Sequence, residues 1–453
     1  MNLASKLAAR AEAGNPVRVG LIGAGKFGSM ILAQARLTPG IQIMGIADLD
    51  PERARQACRR TGWADAQVAA QDFETARQDG GTHITDDAEK LIKADGLDIV
   101  VEATGHPPAG IAFALQAIEH GRHLVMVNVE ADVVAGPLLA QKARQAGLVY
   151  SMAYGDQPAL ICEQVDWARA CGFEIACAGR GVKYLPEFHA STPETVWNYF
   201  YVGAELAERG GMNPKMCNSF IDGSKPSIET TAVCNATGLT PQSEGLRFPP
   251  GSRFELADIC KPESAGGQLE HSGTVEAVTS LRHDGTAVEH DIALGVFVVV
   301  EADNDYVSNC FEEYHLMYDS TSRYSALYRP THLIGLELGI SLASIGVRGE
   351  PTGTPIGFQA DVVATAKRDL KAGEMLDGEG GYCVWGKQFP AQRSLEMGGL
   401  PLGLAHDVKL LGDVAEGAQV TWRDVEIDEN DLAVRTRREM EAEFGGGDGG
   451  KRT

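Results

Sequence analysis

Residues 222–239 read DGSKPSIETTAVCNATGL. A lysine, two carboxylates, an amide and several hydroxyls crowd onto a stretch whose apolar positions have helical spacing. On a helix, positions 227, 230, 231 and 234 or 235 share one face. Hydroxyls, an amide and a cation near a helix N-terminus suit a dianion. Lys225, Ser227, Thr230, Thr231 and Asn235 are therefore predicted to bind a phosphate group, with Lys225 as an electrostatic or acid–base participant. The plainer alternative pairs Lys225 with Glu229 one turn apart and bonds the threonines back to the helix.

A second constellation is Gly23-Ala24-Gly25-Lys26-Phe27-Gly28, a G-x-G-x-x-G run between an apolar strand (VRVGLIG) and a helix (KFGSMILAQARL). Such glycines permit a tight turn and close approach of backbone to a pyrophosphate at the helix N-terminus. Asp48 follows Gly28 at the end of the second strand, where a carboxylate accepts from a ribose 2′-hydroxyl and favours NAD. Arg53, Arg55, Arg59 and Arg60 come next. They read equally as cations for the 2′-phosphate of NADP or as a solvated helix face, and both readings stand at this level.

These groups need elements to hold them. Apolar runs (IQIMGIAD, LDIVVEATG, RHLVMVN) alternate with helical segments up to residue 150, the pattern of a doubly wound parallel sheet of Rossmann type. Residues 271–301, rich in Val and Thr around an HDG turn, predict an antiparallel pairing in a separate α+β catalytic domain over 151–350. A helix at 330–346 closes that domain, returning to the Rossmann side. A Pro/Gly cluster then precedes a β-rich unit over 355–435 and a flexible tail over 436–453. His189 reads as a general acid or as part of a helix start, and His332 as a packed side chain.

The chain has 453 residues and a net charge of −22, which argues against broad affinity for nucleic acid or anionic membrane. Nine cysteines without a Cys-x-x-Cys pair suit a reducing compartment, and no long apolar run suggests a membrane span. A cytoplasmic protein is expected.

The segment VVEATGHPP resembles the stretch by which homoserine dehydrogenase-like enzymes contact nicotinamide, which implies Thr104, Gly105 and Asn128 as further cofactor contacts. Val129 stands where those enzymes have Lys. In their order along the chain, Asn128-Val129-Glu130, Tyr154-Gly155-Asp156-Gln157-Pro158-Ala159-Leu160, CAGRGVKYL and Gly223-Ser224-Lys225 resemble the 1-deoxy-D-xylulose 5-phosphate reductoisomerases. The combination is most similar to the divergent reductoisomerase-like (DRL) family. Ala236 and Thr240 depart from the reductoisomerase pattern. ATAKRDLKAGEML and the residues from Gly399 resemble the antifreeze-like SAF module of sialic acid synthases.

The resemblance implies Gly179, Gly181 and Lys183 as a second wall of the phosphate pocket. It implies Glu130, Asp156 and Glu229 as ligands of Mg or Mn, and Lys225, Glu229 and Asp156 as catalytic residues. Asp156 reads equally as the cap of the helix that follows it. NADPH, or NADH as Asp48 suggests, is the expected coenzyme, with a phosphorylated small molecule as substrate and a homo-oligomer as the assembly. The expected function is conversion of 1-deoxy-D-xylulose 5-phosphate to 2-C-methyl-D-erythritol 4-phosphate. The alternatives are a dehydrogenase of another sugar phosphate or sugar acid, and a dinucleotide sensor.

Overall fold

A computed structural model describes residues 2–209 and 212–445. The chain divides into two compact units, one of residues 1–159 and 333–354, the other of residues 160–332 and 355–453.

The first unit is built on six strands: β1 (Val17–Ile22), β2 (Ile41–Ala47), β3 (His83–Thr85), β4 (Ile99–Glu102), β5 (His123–Met126) and β6 (Tyr150–Met152). They pair in the order β3-β2-β1-β4-β5-β6, every neighbour parallel. Parallel strands carry helices on their faces, so their side chains are buried on both sides. This is why the strands read as unbroken apolar runs; Val19, Leu21, Ile46, Ile99 and Val101 all sit in one core cluster. The order reverses between β1 and β4, and ligands of such sheets bind outside the strand ends at that switch point.

Local signals set the helices. Asp50 accepts from the N–H groups of Glu52 and Arg53 and starts the helix Pro51–Arg60, with Pro51 at its first position. The helix expected over 330–346 begins only at Gly339, running Gly339–Arg348. Ahead of it Gly335 takes φ +75°, a left-handed conformation that an α-helix does not hold, and the Glu337 carboxylate accepts from the Leu333 N–H at 3.1 Å.

The second unit holds a five-stranded sheet of β7 (Glu174–Val182), β8 (Thr274–Thr279), β9 (Val296–Glu301), β10 (Met317–Tyr318) and β11 (Tyr324–Arg329). Their order is β10-β11-β9-β7-β8. This corrects the expected antiparallel pairing within 271–301. β8 and β9 are separated by β7, which runs parallel to β8 and antiparallel to β9. The HDG turn closes only a local bridge, Leu281 to Ala287.

Five further strands complete the unit: β12 (Ala360–Ala366), β13 (Met375–Asp377), β14 (Val384–Pro390), β15 (His406–Leu410) and β16 (Val425–Glu426). β12 pairs with β14, and β13, β15 and β16 form a three-stranded sheet. The helix Leu432–Phe444 occupies the start of the stretch expected as a flexible tail. It is pinned by Arg437, fully buried and ion-paired with the equally buried Asp361 at 2.6 Å. Residues 446–453 of that predicted tail lie outside the described residues.

Candidate functional site

In the first unit, Gly23 follows β1 with φ +98° and Gly28 sits in the first turn of the helix Lys26–Ala35. A Cβ on Gly28 would lie 2.4 Å from the Gly23 carbonyl oxygen, and one on Gly23 2.6 Å from that of Ala103. Both positions therefore require glycine. Gly25 caps the helix without any side-chain hydrogen bond, and Gly25 and Lys26 are exposed while Phe27 is half-buried. An uncapped helix N-terminus at the switch point is an anion site, and its geometry fits a dinucleotide pyrophosphate.

Asp48 ends β2. Its carboxylate accepts from the N–H groups of Ala24 (2.7 Å) and Asp50 (3.0 Å) and from Arg53 at 2.6 and 2.9 Å. Burial opposes its ionisation, but these bonds outweigh that and hold its carboxyl below the usual range. The Arg53 side chain stays 57% exposed. A cation thus already stands beside the carboxylate and is free to face solvent.

Beyond β4, the Thr104 N–H donates to Glu102 Oε1 at 2.9 Å. Asn128 caps the helix Val129–Gln145 through Ala131 N–H at 3.1 Å. Glu102 Oε2 and Asn128 Nδ2 are buried close together against Gly110, whose Cβ would lie 2.9 and 2.8 Å from these atoms. Burial pushes the Glu102 carboxyl up to about 7. Asp132, which accepts from Tyr150 Oη at 2.8 Å, is pushed up to about 7 by the same cause. Sequence reasoning passed over Glu102 and Asp132. The signal for Glu102 was a carboxylate inside an otherwise apolar strand run, IVVE.

In the second unit, the quoted stretch forms the helix Ser224–Thr237 between Gly223 and Gly238. It is buried on all sides, packed on β7 and β8 and also on β12 and β14. Polar groups sealed in this way need internal partners. Ser227 Oγ donates to the Gly223 carbonyl (2.9 Å), Thr230 Oγ1 to that of Pro226 (2.7 Å) and Thr237 Oγ1 to that of Val233 (2.7 Å). Asn235 Oδ1 accepts from the N–H groups of Gln359 (2.8 Å) and Ala360 (3.0 Å), where β12 begins. Gln388 Nε2 donates to Thr230 and Thr231. The expected phosphate face is thus largely consumed by the packing of the helix. Lys225 is buried, not turned to solvent.

The expected phosphate loop is also corrected. Gly179 and Gly181 lie in β7, where a Cβ would sit 1.9 Å from the Glu276 carbonyl oxygen and 1.6 Å from that of Ile292. These glycines serve close backbone approach inside a sheet. Lys183 Nζ donates to the Tyr199 carbonyl at 2.5 Å, and burial lowers its pKa.

Glu229, expected as a metal ligand, is ion-paired with Arg180, and both side chains are buried. Asp156 accepts from the Gln157 N–H at 2.9 Å where the next helix starts, and Glu130 is buried in the helix that Asn128 caps. Among the described residues no group of three or more His, Cys, Asp or Glu is placed to hold a metal ion. The donor set does not fit a resident Mg or Mn, and no step below runs through one.

Residues 19–152 match the homoserine dehydrogenase NAD-binding domain, and residues 155–338 match the catalytic domain of oxidoreductase DRL. A homoserine dehydrogenase of Methylobacillus glycogenes is 34% identical over 115 residues, 25% of each chain. One of Pseudomonas aeruginosa is 29% identical over 136 residues, 30% of this chain and 28% of that one. The chain thus spans about a quarter of the length of the curated relatives it matches. Among solved structures, a myo-inositol dehydrogenase from Lactobacillus casei in complex with NAD(H) and myo-inositol is 18% identical, covers 39% of this chain and 50% of that one, and has a TM-score of 0.27. No helix among the described residues is long and apolar enough to cross a membrane. The two consecutive domain matches support a DRL-like protein whose Rossmann domain is similar to that of homoserine dehydrogenases.

Proposed function

We propose that the protein is an NAD(P)-dependent oxidoreductase acting on a phosphorylated sugar. The most specific form of this reading is the reduction and rearrangement of 1-deoxy-D-xylulose 5-phosphate to 2-C-methyl-D-erythritol 4-phosphate, in isoprenoid precursor synthesis. The observation that carries it is the uncapped, exposed N-terminus of the helix Lys26–Ala35 beside Asp48 and Arg53. Backbone N–H groups of residues 25–28 hold the pyrophosphate, and Asp48 or Arg53 meets the adenosine ribose. With its side chain 57% exposed, Arg53 favours NADPH. NADH remains the alternative through Asp48.

When bound, the nicotinamide supplies the hydride. On the protein's side, Thr104, Gly105 and Asn128 flank the strand ends where such a ring lies. Glu102, its carboxyl raised by burial to about 7, is able to hold a proton beside them. Lys225, a buried cation, polarises the substrate carbonyl and receives charge as an alkoxide forms. Glu229 acts through Arg180, fixing the guanidinium in place. Residues 355–435 form a SAF-like module, and the assembly is a homo-oligomer.

A second reading is a dehydrogenase of another sugar phosphate or sugar acid. Its sugar-acid form is favoured by the internal commitment of Thr230 and Asn235, which leaves fewer groups for a phosphate dianion. The experiment is loss of reduced-nicotinamide absorbance on adding 1-deoxy-D-xylulose 5-phosphate, beside a panel of sugar phosphates and sugar acids, with products read by NMR. Turnover of the deoxyxylulose substrate, lost in Lys225→Ala at unchanged coenzyme affinity, is the expected result. Turnover of another panel member alone selects the second reading, and no turnover of any rejects both.

A further inference from the structure

The second unit contains a cavity of about 420 Å³, lined only by its own residues, among them Tyr184, His189, Ser227, Lys367, Lys387 and Gln388. That volume suits a small molecule. The state of each polar group on the floor follows from its partners. Thr230 has given its hydroxyl proton to the Pro226 carbonyl, so the Gln388 atom facing it must be the donor Nε2. Nε2 also donates to Thr231. Gln388 is thereby fixed in one orientation, and its Oε1 is buried with no partner. An unpaired buried acceptor is costly, and it points to a donor supplied from outside.

The other floor groups are spent in the same direction. Ser227 donates to the Gly223 carbonyl. His189 Nδ1 lies 2.7 Å from the Asp222 carbonyl, which can only accept, so Nδ1 carries the ring proton. Its Nε2 must then accept from Tyr184 Oη at 2.6 Å. Lys367 gives its three protons to Asp222, Ser191 O and Gly381 O, at 2.7, 2.8 and 2.8 Å. Gln388, Ser227, Tyr184 and His189 therefore offer lone pairs and no protons to the cavity, and Lys367 has no proton left to give. On the walls Lys387, paired with Glu244 at 3.4 Å, stands with the carboxylates of Glu187, Glu244 and Glu416, so the lining carries both signs of charge and favours neither an anion nor a cation. What remains is an uncharged molecule rich in hydroxyls.

We propose that this cavity binds a neutral polyol or sugar, one hydroxyl of which donates to Gln388 Oε1 and another to Ser227 Oγ or Tyr184 Oη. The site is independent of the reaction proposed above. Isothermal titration of the full chain with erythritol, xylitol and D-glucose, and separately with inorganic phosphate, tests it. Saturable binding of at least one of the three is expected. That binding weakens about tenfold in Gln388→Met and several-fold in Ser227→Ala, and phosphate neither binds there nor competes. If Gln388→Met does not fold, Ser227→Ala carries the comparison. Absence of saturable binding by all three, displacement of the bound sugar by phosphate, or wild-type affinity in the folded variants overturns the proposal.

Discussion

Two helix N-termini, one in each unit, are left in opposite states. The helix Lys26–Ala35 begins at an exposed glycine that no side chain caps, so its N–H groups stay available to an anion. The helix Ser224–Thr237 also begins at a glycine, but there the Ser224 N–H is taken by Asp222 Oδ1 at 2.9 Å, and Lys367 neutralises that carboxylate from 2.7 Å. The first terminus is open to a ligand phosphate. At the second, a protein carboxylate already fills the place that an anion would take. Polar side chains on a helix do not by themselves make an anion site; what matters is whether the fold has left their bonds unmade.

The contrast can be pressed at several points. The largest effect is expected where the second unit has committed buried charge. Arg437→Met leaves the Asp361 carboxylate buried without its cation, which costs about 3–5 kcal/mol of stability in denaturant unfolding, with NADPH affinity unchanged.

In the first unit, burial raises the Glu102 carboxyl to about 7, against an ordinary value of 4.5. The folded state therefore binds more protons than the unfolded chain in that window. The stability this gives is full below about pH 4.5 and is lost as pH rises through about 7. Glu102→Gln removes about 3 kcal/mol of that pH dependence, read from unfolding midpoints at several pH values. A slope unchanged by the substitution contradicts the assignment.

Asn235→Ala leaves the N–H groups of Gln359 and Ala360 unpaired and destabilises the second unit by about 2 kcal/mol. If Asn235 were a phosphate ligand, the change would instead appear in substrate affinity at constant stability. The smallest effect is Arg53→Ala, which weakens NADPH about tenfold and leaves NADH unaffected in fluorescence titrations.

The first unit was legible in the sequence because its determinants are local. Each strand is a buried apolar run, Gly28 is constrained by the Gly23 carbonyl five residues earlier, and Asp48 and Arg53 pair across five positions. The second unit depends on distant partners. β7 inserts between β8 and β9, so a glycine-bearing stretch that reads as a loop becomes an interior strand. Lys367 reaches Asp222 across 145 positions and Arg180 reaches Glu229 across 49, and no spacing rule reports either pair. The quoted stretch was correctly placed on a helix. Its threonines and Asn235 were read as free because the strands that bury them, β12 and β14, begin more than a hundred residues later. The alternative reading of back-bonded threonines holds for Thr230.

The central claim is that the turn after β1 holds a nicotinamide dinucleotide on bare backbone. Titration of the full chain and of Gly28→Val with NADPH and NADH addresses it most directly, with circular dichroism confirming that both are folded. Saturable binding by the wild type, weakened about a hundredfold or more when a side chain is forced within 2.4 Å of the Gly23 carbonyl, is the predicted result. Equal affinity in the two proteins, or no binding of either coenzyme by the wild type, would contradict it.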